Sequence, residues 1–162
     1  MKYLVIVDSY SGWFEIDTLR DLSSKTVIKK VKRHFAVHGI PESLLTDNGT
    51  EFVSKEFQLF AQEWSFEQVT SSPVYPQSNG FAENAVKQAK KLLERSKRDG
   101  SDPMLGLLNL RNTPRNVNLG SPAQRLLSRR TETVLPTTRK LLRPKVIPVK
   151  QVSQEIQTKR QQ

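Results

Sequence analysis

A run of apolar side chains of strand length, Tyr3-Leu-Val-Ile-Val7, opens the chain and stops at Asp8. It does not alternate with polar residues, so the reading is a strand buried on both faces, the environment of a sheet covered by helices. Ser11-Gly12 supplies a turn, and Trp13 to Leu19 alternates, with Trp13, Glu15 and Asp17 on one side and Phe14, Ile16 and Thr18 on the other. The two segments together predict a β-hairpin. The period then changes. Ser24 as N-cap, followed by Val27, Ile28, Val31 and Phe35 at helical spacing, predicts a helix that stops near Gly39 and Pro41. Ser43-Leu-Leu-Thr46 reads as a short strand running into the turn Asp47-Asn48-Gly49. A helix with Phe57, Phe60 and Trp64 on one side and a strand near Phe66 to Thr70 come next. Strands and helices interleaved in this way define an α/β class.

The second half is helical in pattern. Ser71 to Gly80 holds two prolines, an asparagine and a glycine and reads as a mobile loop. Phe81 to about Arg98 is the longest helical pattern, with Ala82, Val86, Ala89 and Leu93 as its expected core stripe. Glu83, Lys87 and Lys90 share a neighbouring face of the same helix. Asp102 to Asn112 and Pro122 to Arg129 predict two further short helices. Beyond about Thr131 the prolines at 136, 144 and 148 and the closing Gln/Lys/Arg run predict a basic, mostly extended tail. The expected organisation is one domain over residues 1–130 and a tail over 131–162.

Charge is distributed unevenly. Residues 1–84 carry 8 Lys/Arg against 11 Asp/Glu and residues 85–162 carry 18 against 5, so the two parts stand at −3 and +13. Acids early and bases late suggest a carboxylate-bearing scaffold followed by a surface for a polyanion, of which nucleic acid is the commonest. No apolar run reaches membrane-spanning length, and the N-terminal one is too short for a signal peptide, so the expected setting is intracellular with no membrane partner. Zero cysteine excludes disulfides and cysteine-ligated zinc. His34 and His38 lie four apart with no carboxylate between them in a ligand pattern, and read as ordinary helix-surface histidines.

Two carboxylates stand where chemistry could use them. Asp47 ends a predicted strand, and Glu83 falls in the first turn of the long helix, with 35 residues between them. A strand-end Asp and a helix-borne Glu can converge on a divalent ion that activates a water or hydroxyl for phosphoryl transfer.

The residues around them carry a resemblance. Leu45-Thr-Asp-Asn-Gly-Thr-Glu-Phe52 and Ser72-Pro-Val-Tyr-Pro-Gln-Ser-Asn-Gly-Phe-Ala-Glu-Asn84 resemble, in order and spacing, the two diagnostic segments of retroviral and Ty3/gypsy-like integrase cores. Leu110-Arg-Asn-Thr-Pro114, Ser121-Pro-Ala-Gln124 and Arg129-Arg-Thr131 look like the downstream part of retrotransposon integrases. The resemblance implies an RNase H-like mixed sheet of five strands flanked by helices, with Asp47 and Glu83 as catalytic, metal-binding residues for Mg²⁺ or Mn²⁺. It implies DNA as substrate and partner, 3′-end processing and strand transfer as the reaction, the nucleus as a setting, and a homodimer or higher oligomer to which Trp64 or the helix after Glu83 contributes. Gln77, Asn79, Lys87 and Lys90 are the implied DNA contacts. Asn48 and Gly49 form the turn behind Asp47, and Ser78 and Gly80 belong to the active-site loop.

The family uses three acids, and the first lies on a strand about a hairpin upstream of the segment that Val5 to Glu15 resembles. Asp8 is therefore not expected to bind metal, and the first, central strand is expected to be missing. The resulting expectation is a core fragment inactive by itself, with a non-catalytic nucleic-acid-binding protein of retroelement origin as the alternative.

Overall fold

The computed structural model describes residues 1–71 and 80–161. They form two compact units: Met1–Val5 with Glu15–Gly80, and Ile6–Phe14 with Phe81–Gln162.

The first unit contains most of the strands. β1 (Lys2–Val7) and β2 (Phe14–Leu19) pair in one two-stranded sheet, and β3 (Ser43–Thr46) and β4 (Glu67–Thr70) pair in another. Among the described residues no strand bridges these two ladders. β3 and β4 run parallel in the register Ser43–Glu67 to Thr46–Thr70, extended by Glu67 N–H donating to Glu42 O and Ser71 N–H to Thr46 O. Parallel neighbours need a crossover, and α2 (Lys55–Glu63) supplies it. The apolar run of β1 is less covered than its composition suggests: Leu4 is buried, whereas Val5, Ile6 and Val7 are only half-buried.

α1 (Ser24–His38) starts one residue earlier than the sequence suggests, because Ser23 and not Ser24 is the N-cap. The Ser23 hydroxyl accepts from Thr26 N–H, and Ser23 is held in turn by Asp21, whose Oδ1 accepts from Ser23 N–H. The Ser23 contacts, with Thr26 and Arg20 adding to them, hold the Asp21 carboxyl below the usual carboxylate range. Val27, Val31 and Phe35 face inward as predicted. α1 packs on α2 through an aromatic cluster. Phe60 meets Phe57, Trp64 and Phe66 with ring centroids 5.5, 5.5 and 5.0 Å apart, and Phe35 meets Phe66 edge-on at 5.3 Å. Such tilted contacts suit the ring quadrupoles and add to the burial of area.

The second unit is helical. α3 (Gly80–Asp99) is the longest element, followed by α4 (Pro103–Asn112) and α5 (Pro122–Leu127). Side-chain caps open α4 and α5. Asp102 accepts from Met104 N–H, and Ser121 with Gln124 forms a full capping box. The buried line of α3 runs through Ala85 and Ala89, flanked by half-buried Ala82, Val86, Leu92 and Leu93, so the expected stripe of Ala82, Val86, Ala89 and Leu93 is covered but its deepest line also takes in Ala85. The reason is close helix approach: Gly106 of α4 lies against Leu92, where a Cβ would overlap the leucine methyl, so the small residues face inward.

The residues after Thr131 differ from an extended, unpacked tail. They hold α6 (Arg139–Leu142) and α7 (Val149–Gln161). Arg130 N–H donates to Leu141 O, and Lys145 N–H to Ser128 O, so the chain doubles back on the end of α5. α7 is fixed by Val152, which is fully buried, and by Glu155, whose two oxygens accept from Asn116 Nδ2 at 3.2 Å and Asn118 Nδ2 at 3.1 Å. One buried valine and a doubly bonded carboxylate offset a composition that reads as disordered.

Candidate active site and its surroundings

Asp47 leaves the end of β3 directly after buried Thr46 and is itself exposed. Its Oδ1 accepts from Gly49 N–H at 2.9 Å, an Asx turn that fixes the carboxylate against its own backbone. Asn48 Nδ2 donates to Ser71 O at 3.4 Å, and Gly49 O accepts from Phe52 and Val53 N–H. A Cβ at Gly49 would come within 2.9 Å of the Glu51 carboxyl, the mobile end of a side chain that can swing aside. Gln68 of β4 anchors the far side of the turn, donating to Phe52 O at 2.8 Å and Thr46 Oγ1 at 3.2 Å. Thus the turn predicted for Asn48 and Gly49 is built around Asp47 by backbone hydrogen bonds.

Glu83 belongs to the second unit and sits exposed in the first turn of α3, with Lys87 and Lys90 also exposed at i+4 and i+7. An acid at the N-terminal turn and bases further along agree with the helix dipole. Gln77, Ser78 and Asn79 lie outside the described residues. Gly80 is the first residue of α3.

Asp8 is engaged locally. Its Oδ2 accepts from Ser11 N–H at 2.9 Å and from the Ser11 hydroxyl, while its backbone closes the turn through Asp8 N–H to Trp13 O and Gly12 N–H to Asp8 O, both at 2.8 Å. Arg125 of α5 clamps the same turn. Its Nε donates to Ser11 O at 2.8 Å, with Nη2 on the same oxygen, and Nη1 reaches Leu119 O and Gly120 O. Burial, followed by repulsion from Arg115, holds the Arg125 guanidinium below its ordinary range. Arg111 braces the adjoining residues by donating to Phe14 O at 2.8 Å and stacking 4.1 Å over the Trp13 ring. These arginine roles had no local sequence signal, because each depends on contacts about a hundred residues apart.

A second polar cluster was also invisible in the sequence. His34 Nε2 contacts Asp17 Oδ2, and His38 Nε2 lies 3.1 Å from Glu15 Oε1, so the carboxylates missing from α1 come from β2.

Residues 1–76 match the integrase core domain family model. The chain is 36% identical over 152 residues to an uncharacterised protein of Caenorhabditis elegans, covering 88% of this chain and 12% of that protein. It is 32% identical over 118 residues to the Gag-Pro-Pol polyprotein of Simian retrovirus SRV-1, covering 72% of this chain and 6% of the polyprotein. The chain therefore spans only a small part of the curated relatives it matches. Among solved structures, the catalytic core domain of BIV integrase superposes with a TM-score of 0.66 at 21% identity, over 76% of this chain and 84% of that one. The HTLV-2 integrase catalytic core domain, solved in complex with magnesium in a trimeric form, does so with a TM-score of 0.59 at 22% identity, over 75% and 82%. Fold and matches place the chain in the RNase H-like class of mixed α/β domains. Within that class it is an integrase catalytic core-like domain of the kind carried by retroviral and retroelement Pol proteins.

Proposed function

We propose that this chain is the DNA-binding core of a retrotransposon integrase, with Asp47 and Glu83 as the metal-holding pair for a Mg²⁺ or Mn²⁺ ion. The observation that carries the reading is the Asx turn that holds the Asp47 carboxylate at the end of β3; Glu83, exposed in the first turn of a basic helix, is the second acid of the same reading. Exposed carboxylates are hard oxygen donors of the type these ions take. When bound, such an ion acts as a Lewis acid on the attacking and leaving oxygens of a phosphodiester. Lys87 and Lys90 hold the phosphates flanking the reacting bond, and Gln77 and Asn79 are further DNA contacts of the same reading. Nuclear action belongs to the same proposal; so does assembly into a dimer or higher oligomer, which is in keeping with structural neighbours solved as an intasome and as a trimeric form.

Two acids hold a divalent ion less firmly than three, and the Asp8 carboxylate is committed to Ser11. The purified 162-residue chain is therefore expected to give no joined product when incubated with duplex oligonucleotides and Mg²⁺ or Mn²⁺; robust metal-dependent strand transfer would overturn that. This same commitment of Asp8 favours a second reading, a non-catalytic nucleic-acid-binding protein derived from a retroelement. Both readings predict duplex binding, and they part on an extended gene product: one that adds an upstream strand ending in Asp joins DNA only if the first reading holds.

The DNA face is tested separately. Replacing Lys87 and Lys90 together by alanine is expected to lower the slope of log affinity against log salt by about 1.8, since each phosphate contact contributes about 0.9. An unchanged slope would remove these two lysines from the interface.

A further inference from the structure

We propose that Glu15, His34 and His38 form a binding site for a Zn²⁺-class transition-metal ion that fastens α1 to β2, independent of the carboxylate pair proposed for catalysis. Glu15 and Asp17 are two apart on β2 and so share one face of the strand, whereas His34 and His38 are one turn apart on α1. Packing sets the two pairs against each other. The ligand atoms that Glu15, His34 and His38 can offer all lie within 4.8 Å of one another. Tetrahedral ligands around Zn²⁺, at metal–ligand distances of about 2.0–2.1 Å, stand about 3.3 Å apart, so small side-chain rotations close the set.

Donor chemistry selects the ion. Two imidazoles and a carboxylate form the His₂Glu set that suits Zn²⁺ and its neighbours, whereas Mg²⁺ and Ca²⁺ favour all-oxygen shells. Asp17, in contact with the His34 ring, is the carboxylate that orients a ligating histidine. Lys30 Nζ lies 3.4 Å from Asp17 Oδ1 and holds that carboxylate beside the His34 ring. Exposure is graded. The side chains of His34 and Asp17 are 13% and 12% exposed and those of His38 and Glu15 are 30% and 22%, so the ion has a solvent entry on the His38 side and room there for a water as fourth ligand. The 3.1 Å contact between His38 and Glu15 is the hydrogen-bonded state that a metal replaces.

The test titrates ZnCl₂ into the full chain by calorimetry in the presence of excess Mg²⁺, with Co²⁺ absorption as a reporter of tetrahedral coordination. One equivalent of Zn²⁺ is expected to bind at about micromolar affinity or tighter. His38→Ala and Glu15→Gln should each weaken binding at least about tenfold, as metal-site losses commonly do, and abolish the Co²⁺ bands. Asp47→Asn should leave both unchanged. Zn²⁺ should raise the Tm of the parent chain and not that of Glu15→Gln, a near-isosteric change at a half-buried position that preserves the test if His38→Ala fails to fold. Absence of stoichiometric binding, or binding that survives Glu15→Gln and His38→Ala but is lost with Asp47→Asn, overturns the site.

Discussion

Phe57→Ala is expected to cost about 3–5 kcal/mol of unfolding free energy, the range for emptying a buried aromatic position. Phe57 is 0% exposed, at the first turn of α2, and its ring meets Phe52 at 5.4 Å and Phe60 at 5.5 Å, both nearly perpendicular. Truncation removes the apolar burial and both edge-to-face contacts, and the neighbouring rings cannot close the void because Phe60 is already held by Phe35, Trp64 and Phe66. The loss is a large share of the stability that a domain of this size has. Urea denaturation reads it as a lower midpoint at unchanged slope. Leu59→Ala on the same helix, at a side chain 53% exposed, is the control and should change little. A loss below about 1.5 kcal/mol for Phe57→Ala would mean that the aromatic cluster is not the core of the first unit.

Asn112→Ala is expected to cost about 2–4 kcal/mol in the second unit. Asn112 is 8% exposed at the end of α4, and its side chain is fully used there. Nδ2 donates to Leu108 O at 2.9 Å and to Thr131 Oγ1 at 2.7 Å, while Oδ1 accepts from Thr131 N–H at 2.7 Å. This single side chain therefore ties the end of α4 to the segment entering the C-terminal region. Alanine takes the acceptor from the part-buried Thr131 N–H, and one such unsatisfied group costs about 1–3 kcal/mol before the other two bonds are considered. Thr131→Val removes only the Oγ1 partner and should cost about 1 kcal/mol. The double variant should lose less than the sum of the singles, as expected for side chains sharing one network. Additive losses in a double-mutant cycle would show that Asn112 and Thr131 act apart. The pairing also gives a structural reason for the segments Leu110-Arg-Asn-Thr-Pro114 and Arg129-Arg-Thr131: they are the two halves of one clamp.

The proposed catalytic pair and the zinc-class cluster differ in how they are encoded. Asp47 and Glu83 each sit in a local pattern, a strand running into Asp-Asn-Gly and an acid opening a long amphipathic helix, so both were legible as candidates. The cluster of Glu15, His34 and His38 has no such pattern, since its two halves are separated by the whole N-terminal part of α1 and meet only through packing.

By itself the sequence determined what local physics controls. Period separated strands from helices, Ser54, Asp102 and Ser121 set helix starts through side-chain caps, and the Asp47 turn followed from Asx chemistry. Tertiary structure decided whatever depends on which surfaces meet. It turned α3 so that its deepest line takes in Ala85, folded α7 onto Asn116 and Asn118 through Val152 and Glu155, and brought Arg125 to the turn at Ser11. The physical reason is the range of the forces: caps and periodicity act within a few residues of their own element, whereas burial, close packing and ion coordination join atoms whose separation along the chain carries no information about their separation in space.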